Sequence, residues 1–146
     1  MPDEGWKTYF VPYKSLYDKI VTMVTKTYYD LIVWQKALDL TTLIYSITEK
    51  LPKEEIHTLS GGMRKAAVAI PSNIANGQTR GSKQEFIQSL LVAKGAKAEL
   101  ETQLLLCVRI GYLTDEDISE ALTQVEEVGK MMSALIRSLT IEPQPL

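Results

Sequence analysis

Three close pairs of cations, Arg64-Lys65, Arg80 with Lys83, and Lys94 with Lys97, are the residues of this chain best suited by type and spacing to hold an anion. Arg80 and Lys83 lie in Gly77-Gln78-Thr79-Arg80-Gly81-Ser82-Lys83, where a helix is expected to begin. The free N–H groups of such a helix start favour one anionic group, such as a backbone phosphate. The segment lacks the spacing of a nucleotide P-loop and follows a helical pattern rather than a strand, so an ordinary capped loop is the plainer alternative. Lys94, Lys97 and Glu101 pose a different question. At ~100° per residue they fall within about 40° of the line through Leu90 and Val108, and so interrupt an apolar arc. Buried charges are costly unless paired. Either these residues join an ion-pair network with Glu99, Arg64 and Lys65, across the bundle or across a subunit interface, or they line a basic groove open to a polyanion.

Other chemistries are excluded by what is missing. One cysteine, Cys107, allows neither an internal disulfide nor a multi-cysteine metal site, and its spacing with Leu100 and Leu104 reads as a small core residue. One histidine, His57, cannot supply the two Glu-x-x-His units of a di-iron bundle, and no nucleophile or carboxylate is placed beside it. Leu59-Ser60-Gly61-Gly62 matches the start of an ABC-type ATPase signature loop, but the phosphate-binding loop and the strands it needs are absent. Two helical glycines there instead mark a close helix contact or a late helix start. The expectation is therefore a non-enzymatic protein with no catalytic residue, cofactor or metal.

The elements that must position these cations are all helical. At 146 residues, 45% hydrophobic and 23% charged, the chain has the make-up of one folded domain with a single core. No apolar run is long enough to span a bilayer, and residues 1–5 hold two acids and no base, so a soluble, cytoplasmic protein is expected. Residues 52–113 carry eight bases and five acids, whereas residues 114–146 carry two bases and seven acids. That split fits an interaction face, or simply acids gathered at a helix start, as in Asp115-Glu116-Asp117.

A first helix is expected from an N-cap at Asp30 to about Lys50. It carries one stripe through Leu31, Trp34, Leu38, Thr41, Tyr45 and Thr48 and a second through Val33, Ala37, Leu40, Ile44, Ile47 and Leu51. Together they cover on the order of 200° of the helix, more than one core requires. Leu40, Ile44 and Ile47 are accordingly the candidate oligomer interface. The next helix should start after Pro52, turn Ile56, Leu59, Met63, Ala66, Ala67, Ile70 and Ile74 inward, kink at Pro71 and stop at Asn76-Gly77. Ser82 with Glu85 predicts a capping box for a third helix ending before Gly111, with Phe86, Leu90, Ala93, Leu100, Leu104, Cys107 and Val108 in its core stripe. The fourth starts at Thr114 and repeats Ile118, Leu122, Val125, Gly129, Met132, Ile136 and Leu139, and Pro143 and Pro145 prevent its continuing. Short connections between long helices predict an all-α, antiparallel up-down four-helix bundle over residues 28–140. Residues 1–27 read as an N-terminal extension, an extra helix or a loose arm, and residues 141–146 as a tail.

A set of short motifs then carries a resemblance. Asp30-Leu31-x-Val33-Trp34-Gln35-Lys36-Ala37, Leu51-Pro52-x-Glu54, Arg64-Lys65-Ala66-Ala67, Ile70-Pro71-Ser72-Asn73-Ile74-Ala75-x-Gly77, Glu85-Phe86, Ala93-Lys94-Gly95, Glu99-Leu100-Glu101-Thr102 and Gly111-Tyr112-Leu113 resemble the four-helix-bundle family named after the 23S rRNA intervening sequence. The likeness runs over about residues 28–139. Asn76 stands where that family usually has Glu, Ala69 and Ala96 where it has Ser, and Gly62 where it has Gln. Residues 1–22 precede the usual family start, near Met23, and read as a lineage-specific extension or a misassigned start. They are expected to be dispensable for folding.

The resemblance implies an up-down bundle, a homopentameric barrel, and kinship with the accessory protein of diversity-generating retroelements, which binds nucleic acid and partners a reverse transcriptase. The leading functional expectation is a homo-oligomer that binds RNA or DNA through Arg64, Lys65, Arg80, Lys83, Lys94 and Lys97. The alternative is a protein-binding adaptor, for example a reverse-transcriptase accessory subunit, whose charges serve subunit contacts.

Overall fold

Residues 27–140 are described by the computed structural model, so the tail, and the extension apart from its last residue, lie outside it. Four helices follow in order: α1 (Ile32–Thr48), α2 (Leu59–Thr79), α3 (Lys83–Ile110) and α4 (Asp115–Thr140), with no strand among the described residues. Each helix packs on its chain neighbours and α4 closes back on α1, the ring order of an up-down bundle.

The core is built from one face of each helix. Val33, Ala37, Leu40 and Ile44 of α1 meet Met63, Ala67, Ile70 and Ile74 of α2, Leu90, Leu100 and Leu104 of α3, and Ile118, Val125 and Met132 of α4, all within 2% of complete burial. Burying each Leu or Ile contributes about 1.5–3 kcal/mol. This corrects the oligomer-interface expectation: Leu40, Ile44 and Ile47 are core residues of their own bundle, and the other stripe of α1 is the one that reaches the surface. Trp34 is half-buried, while Leu38 and Tyr45 are exposed. Both stripes are apolar, and only the placement of α2 and α4 decides which faces inward.

Helix ends follow the local chemistry, with instructive departures. Asp30 is not the N-cap of α1; it sits, almost fully buried, in a 3-10 turn (Tyr28–Asp30) that precedes it, and Leu31 takes the capping position. After Pro52 the chain makes a second 3-10 turn (Lys53–His57) that leaves Ile56 exposed, and α2 starts only at Leu59. Gly61 accounts for that late start. A Cβ there would collide with the carbonyl oxygen of Ile56, so glycine lets the turn fold back on the helix. Gly62 likewise admits the side chain of Gln103 on α3.

The α2 helix does not stop at Asn76-Gly77 but runs on to Thr79. Gly77 is buried, and a Cβ on it would lie 2.5 Å from Cβ of Ser89, so this glycine sets the close approach of α2 to α3. Gly81, at φ 81°, makes the actual turn. Ser82 then caps α3, its Oγ accepting the Glu85 N–H at 3.1 Å, and Gly111 ends α3 in the left-handed conformation at φ 97°. At the head of α4, Thr114 Oγ1 accepts the Asp117 N–H at 3.1 Å and Asp117 Oδ2 accepts the Thr114 N–H at 2.9 Å, a reciprocal cap. Lys50 adds an ion pair to Asp117 at 3.0 Å. These contacts hold the Asp117 carboxyl below the usual range, the Thr114 N–H most of all. The acids of the C-terminal third are thus partly helix-start chemistry.

Pro71 lies inside α2 and cannot donate to the carbonyl of Ala67, four residues back. Thr41 on α1 replaces the missing donor: its hydroxyl lies 3.0 Å from the Ala67 oxygen and 2.8 Å from that of Ala37.

Candidate functional site

The six cations named from the sequence fall into separate places. Arg64 stands near the start of α2, at the end of the bundle where α1 finishes, and Lys65 beside it is exposed. Arg80 and Lys83 lie at the opposite end of α2, across the turn into α3. There Arg80 Nε reaches Asn76 Oδ1 at 3.4 Å, and the first turn of α3 is already capped by Ser82 and holds Glu85.

Lys94 and Lys97 are brought together with partners that sequence reasoning did not name. They line a cleft of about 620 Å³ between α3 and α4, whose other wall carries Glu126, Lys130, Ser133 and Arg137. Lys130, Ser133 and Arg137 follow one another at spacings of three and four, so a single face of α4 presents them. That spacing was the available signal, hidden by the net acidity of the segment. Gly129 forms part of the wall because a Cβ there would lie 2.9 Å from Cε of Lys97; the lysine stem crosses α4 at this point.

Charge in the cleft is only partly balanced. Lys97 pairs with Glu101 at 3.5 Å and Lys130 with Glu126 at 3.3 Å, both pairs one helical turn apart on their own helix. Lys94 and Arg137 make no ion pair among the described residues. Within the chain the network with Arg64 and Lys65 does not form across the bundle, since those residues line no part of this cleft. Exposed pairs of this kind contribute little and are readily exchanged for another anion.

The lone histidine and the lone cysteine lie far from the cleft. His57 is exposed at the end of its 3-10 turn, and no group of three or more His, Cys, Asp or Glu side chains converges there. Cys107 is buried with Sγ 3.6 Å from Sδ of Met63. Burial, aided by the charge of Glu55, pushes its thiol up to about 11, so it is protonated and inert at neutral pH.

Two apolar surfaces are left exposed among the described residues. One is a groove of about 320 Å³ between α1 and α2, lined by Tyr28, Trp34, Leu38, Val68, Pro71 and Ala75. The other is the outer face of α3, where Leu91, Val92, Leu105, Leu106 and Ile110 are 42–57% exposed. At ~100° per residue, Leu91, Gly95, Ala98, Thr102 and Leu105 lie within about 40° of one line, opposite the core stripe. The sequence placed a second apolar surface on α1 alone; α1 exposes only Leu38 and Tyr45 of it, and the outer face of α3 was not expected.

Comparison with known proteins agrees with this architecture. A family profile described as 23S rRNA-intervening sequence protein matches residues 29–134. The crystal structure of a protein of unknown function from the S23 ribosomal protein family of Bacteroides thetaiotaomicron VPI-5482 superposes with a TM-score of 0.68 at 23% identity, over 73% of this chain and 99% of that one. At that identity the likeness carries the fold alone. No curated protein matches the chain.

Proposed function

The chain belongs to the 23S rRNA-intervening sequence protein family, and from that premise we propose a non-enzymatic homo-oligomer that binds RNA or DNA through the cleft between α3 and α4. The observation that carries this reading is the convergence of Lys94, Lys97, Lys130 and Arg137 on one cleft in which Lys94 and Arg137 lack an ion-pair partner among the described residues. Phosphates would replace the exposed carboxylates without burying an unpaired charge, and binding would release condensed counterions from the nucleic acid. Such contacts position a strand without reading its bases, so affinity depends steeply on salt and weakly on sequence. A ring of identical subunits multiplies each weak contact.

The oligomer is proposed to form by seating the outer face of α3 of one subunit in the α1–α2 groove of the next. These surfaces differ, so the contact is head-to-tail, which forms a ring when the rotation between neighbours closes; the family resemblance suggests closure at five subunits. The alternative is an adaptor whose apolar groove, lined in part by Trp34, receives a different protein such as a reverse transcriptase.

Filter binding at two salt concentrations separates these readings. Wild type is expected to bind RNA or DNA at low salt and lose affinity as salt rises. A Lys94→Glu, Arg137→Glu variant that keeps its oligomeric state should lose most of that binding, whereas Arg80→Glu, Lys83→Glu should lose less. No binding by wild type at low salt leaves the adaptor reading in place.

A further inference from the structure

At the end of the bundle where α1 finishes and α2 begins, a second cavity, with Leu51, Pro52 and Ile56 beside its polar residues, shares no residue with the cleft between α3 and α4. We infer that this cavity, built around Arg64 and Ser60, binds a single phosphate group. Arg64 is held on two sides. Its Nε donates to Thr48 Oγ1 at 2.8 Å, and its guanidinium lies 4.6 Å from the centroid of the Tyr45 ring. Thr48 is itself fixed, since its hydroxyl donates back to the Ile44 carbonyl at 2.8 Å. The terminal N–H groups of Arg64 carry no hydrogen bond or ion pair among the described residues, which leaves a positioned fork facing a cavity of about 210 Å³.

Ser60 supplies the second, independent observation. Its residue is only 3% exposed, it lines the same cavity, and its hydroxyl has no hydrogen-bond partner among the described residues. A hydroxyl on so enclosed a residue that bonds nothing among the described residues is open to a ligand that enters the cavity. Here it stands in the first turn of a 21-residue helix, where Leu59 N–H is taken by Glu55 and Gly62 N–H by Thr58, while Ser60 N–H and Gly61 N–H have no partner among the described residues. Lys53 lines the rim. Donors thus come from a guanidinium, a hydroxyl, an ammonium and a helix start, more directions than the two oxygens of a planar carboxylate can use and suited to a tetrahedral oxyanion. The cavity is below the usual range for drug-sized ligands, which fits one phosphate rather than a whole nucleotide. Glu49, exposed on the rim, is the one opposing charge among the lining residues and competes with the ligand.

Isothermal titration of the full chain with inorganic phosphate, against chloride at matched ionic strength, tests the site. Saturable binding by wild type is expected. Arg64→Lys keeps the charge but loses the fork and should weaken it by about tenfold or more. Ser60→Ala removes a hydroxyl that bonds nothing in the fold, so it should weaken binding without lowering stability. Glu49→Gln should tighten it. Absence of saturable binding by wild type, or unchanged binding in both Arg64→Lys and Ser60→Ala, overturns the site. So does loss of phosphate binding in Lys94→Glu, Arg137→Glu, which would assign the heat to the other cleft. A second titration compares one oligonucleotide with a 5′-phosphate and with a 5′-hydroxyl. Tighter binding of the phosphorylated form that disappears in Arg64→Lys identifies a strand end as the source, and equal binding identifies the free anion.

Discussion

Thr41 illustrates how one hydroxyl can hold two helices together. It reaches the Ala67 carbonyl that Pro71 leaves without a donor, so Thr41→Val should strand a half-buried acceptor between α1 and α2. A loss of about 1–3 kcal/mol is expected in urea denaturation. The neighbouring Thr42→Val, which removes only an exposed bond to its own helix at the Leu38 carbonyl, should stay within about 0.5 kcal/mol. Glu55 has a comparable role at the break before α2. Its carboxylate accepts from the Thr58 hydroxyl, from Tyr112 Oη at 2.8 Å and from Leu59 N–H at 3.3 Å, and these bonds hold it below its ordinary value of 4.5, Thr58 contributing most. A lowered carboxyl favours the charged form in the folded state. Its contribution is therefore complete above 4.5 and is lost as pH falls through and below that value. Urea midpoints measured from neutral pH downward should show a shallower acid decline for Glu55→Gln than for wild type, from a lower neutral starting point.

At the scale of elements, glycines separate the helix contacts that matter inside the bundle from the faces left outside it. Gly77→Ala puts a Cβ against Ser89 and Phe86, so α2 and α3 must part, and a loss of about 1–3 kcal/mol is expected despite the better helix propensity of alanine. Gly95 lies on the outer face of α3, and a methyl group added there would have nothing within 4 Å. In a monomeric Leu91→Glu background, Gly95→Ala should instead stabilise by up to about 1 kcal/mol, read from the same denaturation. Opposite signs in two glycines of adjacent helices would confirm which side of α3 is the bundle side. The cap signals of α3 and α4 were legible in sequence because they are local: Ser82, Gly111, Thr114 and Asp117 act within four residues of the bonds they make. The break at Thr58 was not legible, since what forces it is the return of the Ile56 carbonyl onto Gly61, a contact set by where the whole turn sits.

For the whole molecule, the two uncovered apolar surfaces make a prediction about mixing. Leu91→Glu with Leu105→Glu spoils the α3 face, and Leu38→Glu with Val68→Glu spoils the α1–α2 groove; each variant should sediment as a helical monomer. Mixed in equal amounts, the two retain one good surface of each kind and should form a heterodimer and nothing larger, the signature of a head-to-tail contact. A variant that still dimerises with itself would instead mean a contact between like faces. Leu40→Glu should behave differently from all of these, losing helicity, because it places a charge in the centre of the core.

The sequence by itself determined the four helices, both ends of α3 and the start of α4, the order of the bundle and most of its core, because periodicity and capping are properties of short stretches read along one chain; the ends of α1 and α2 departed from that reading. It also determined that Lys94 and Lys97 needed either partners or a groove. Only the tertiary structure decided between the two apolar stripes of α1, brought Lys130 and Arg137 opposite Lys94 and Lys97, and set Arg64 of α2 against Thr48 and Tyr45 of α1. Each of those outcomes depends on which face of one helix meets another, and the pattern along a single helix leaves that choice open until its neighbours are packed against it.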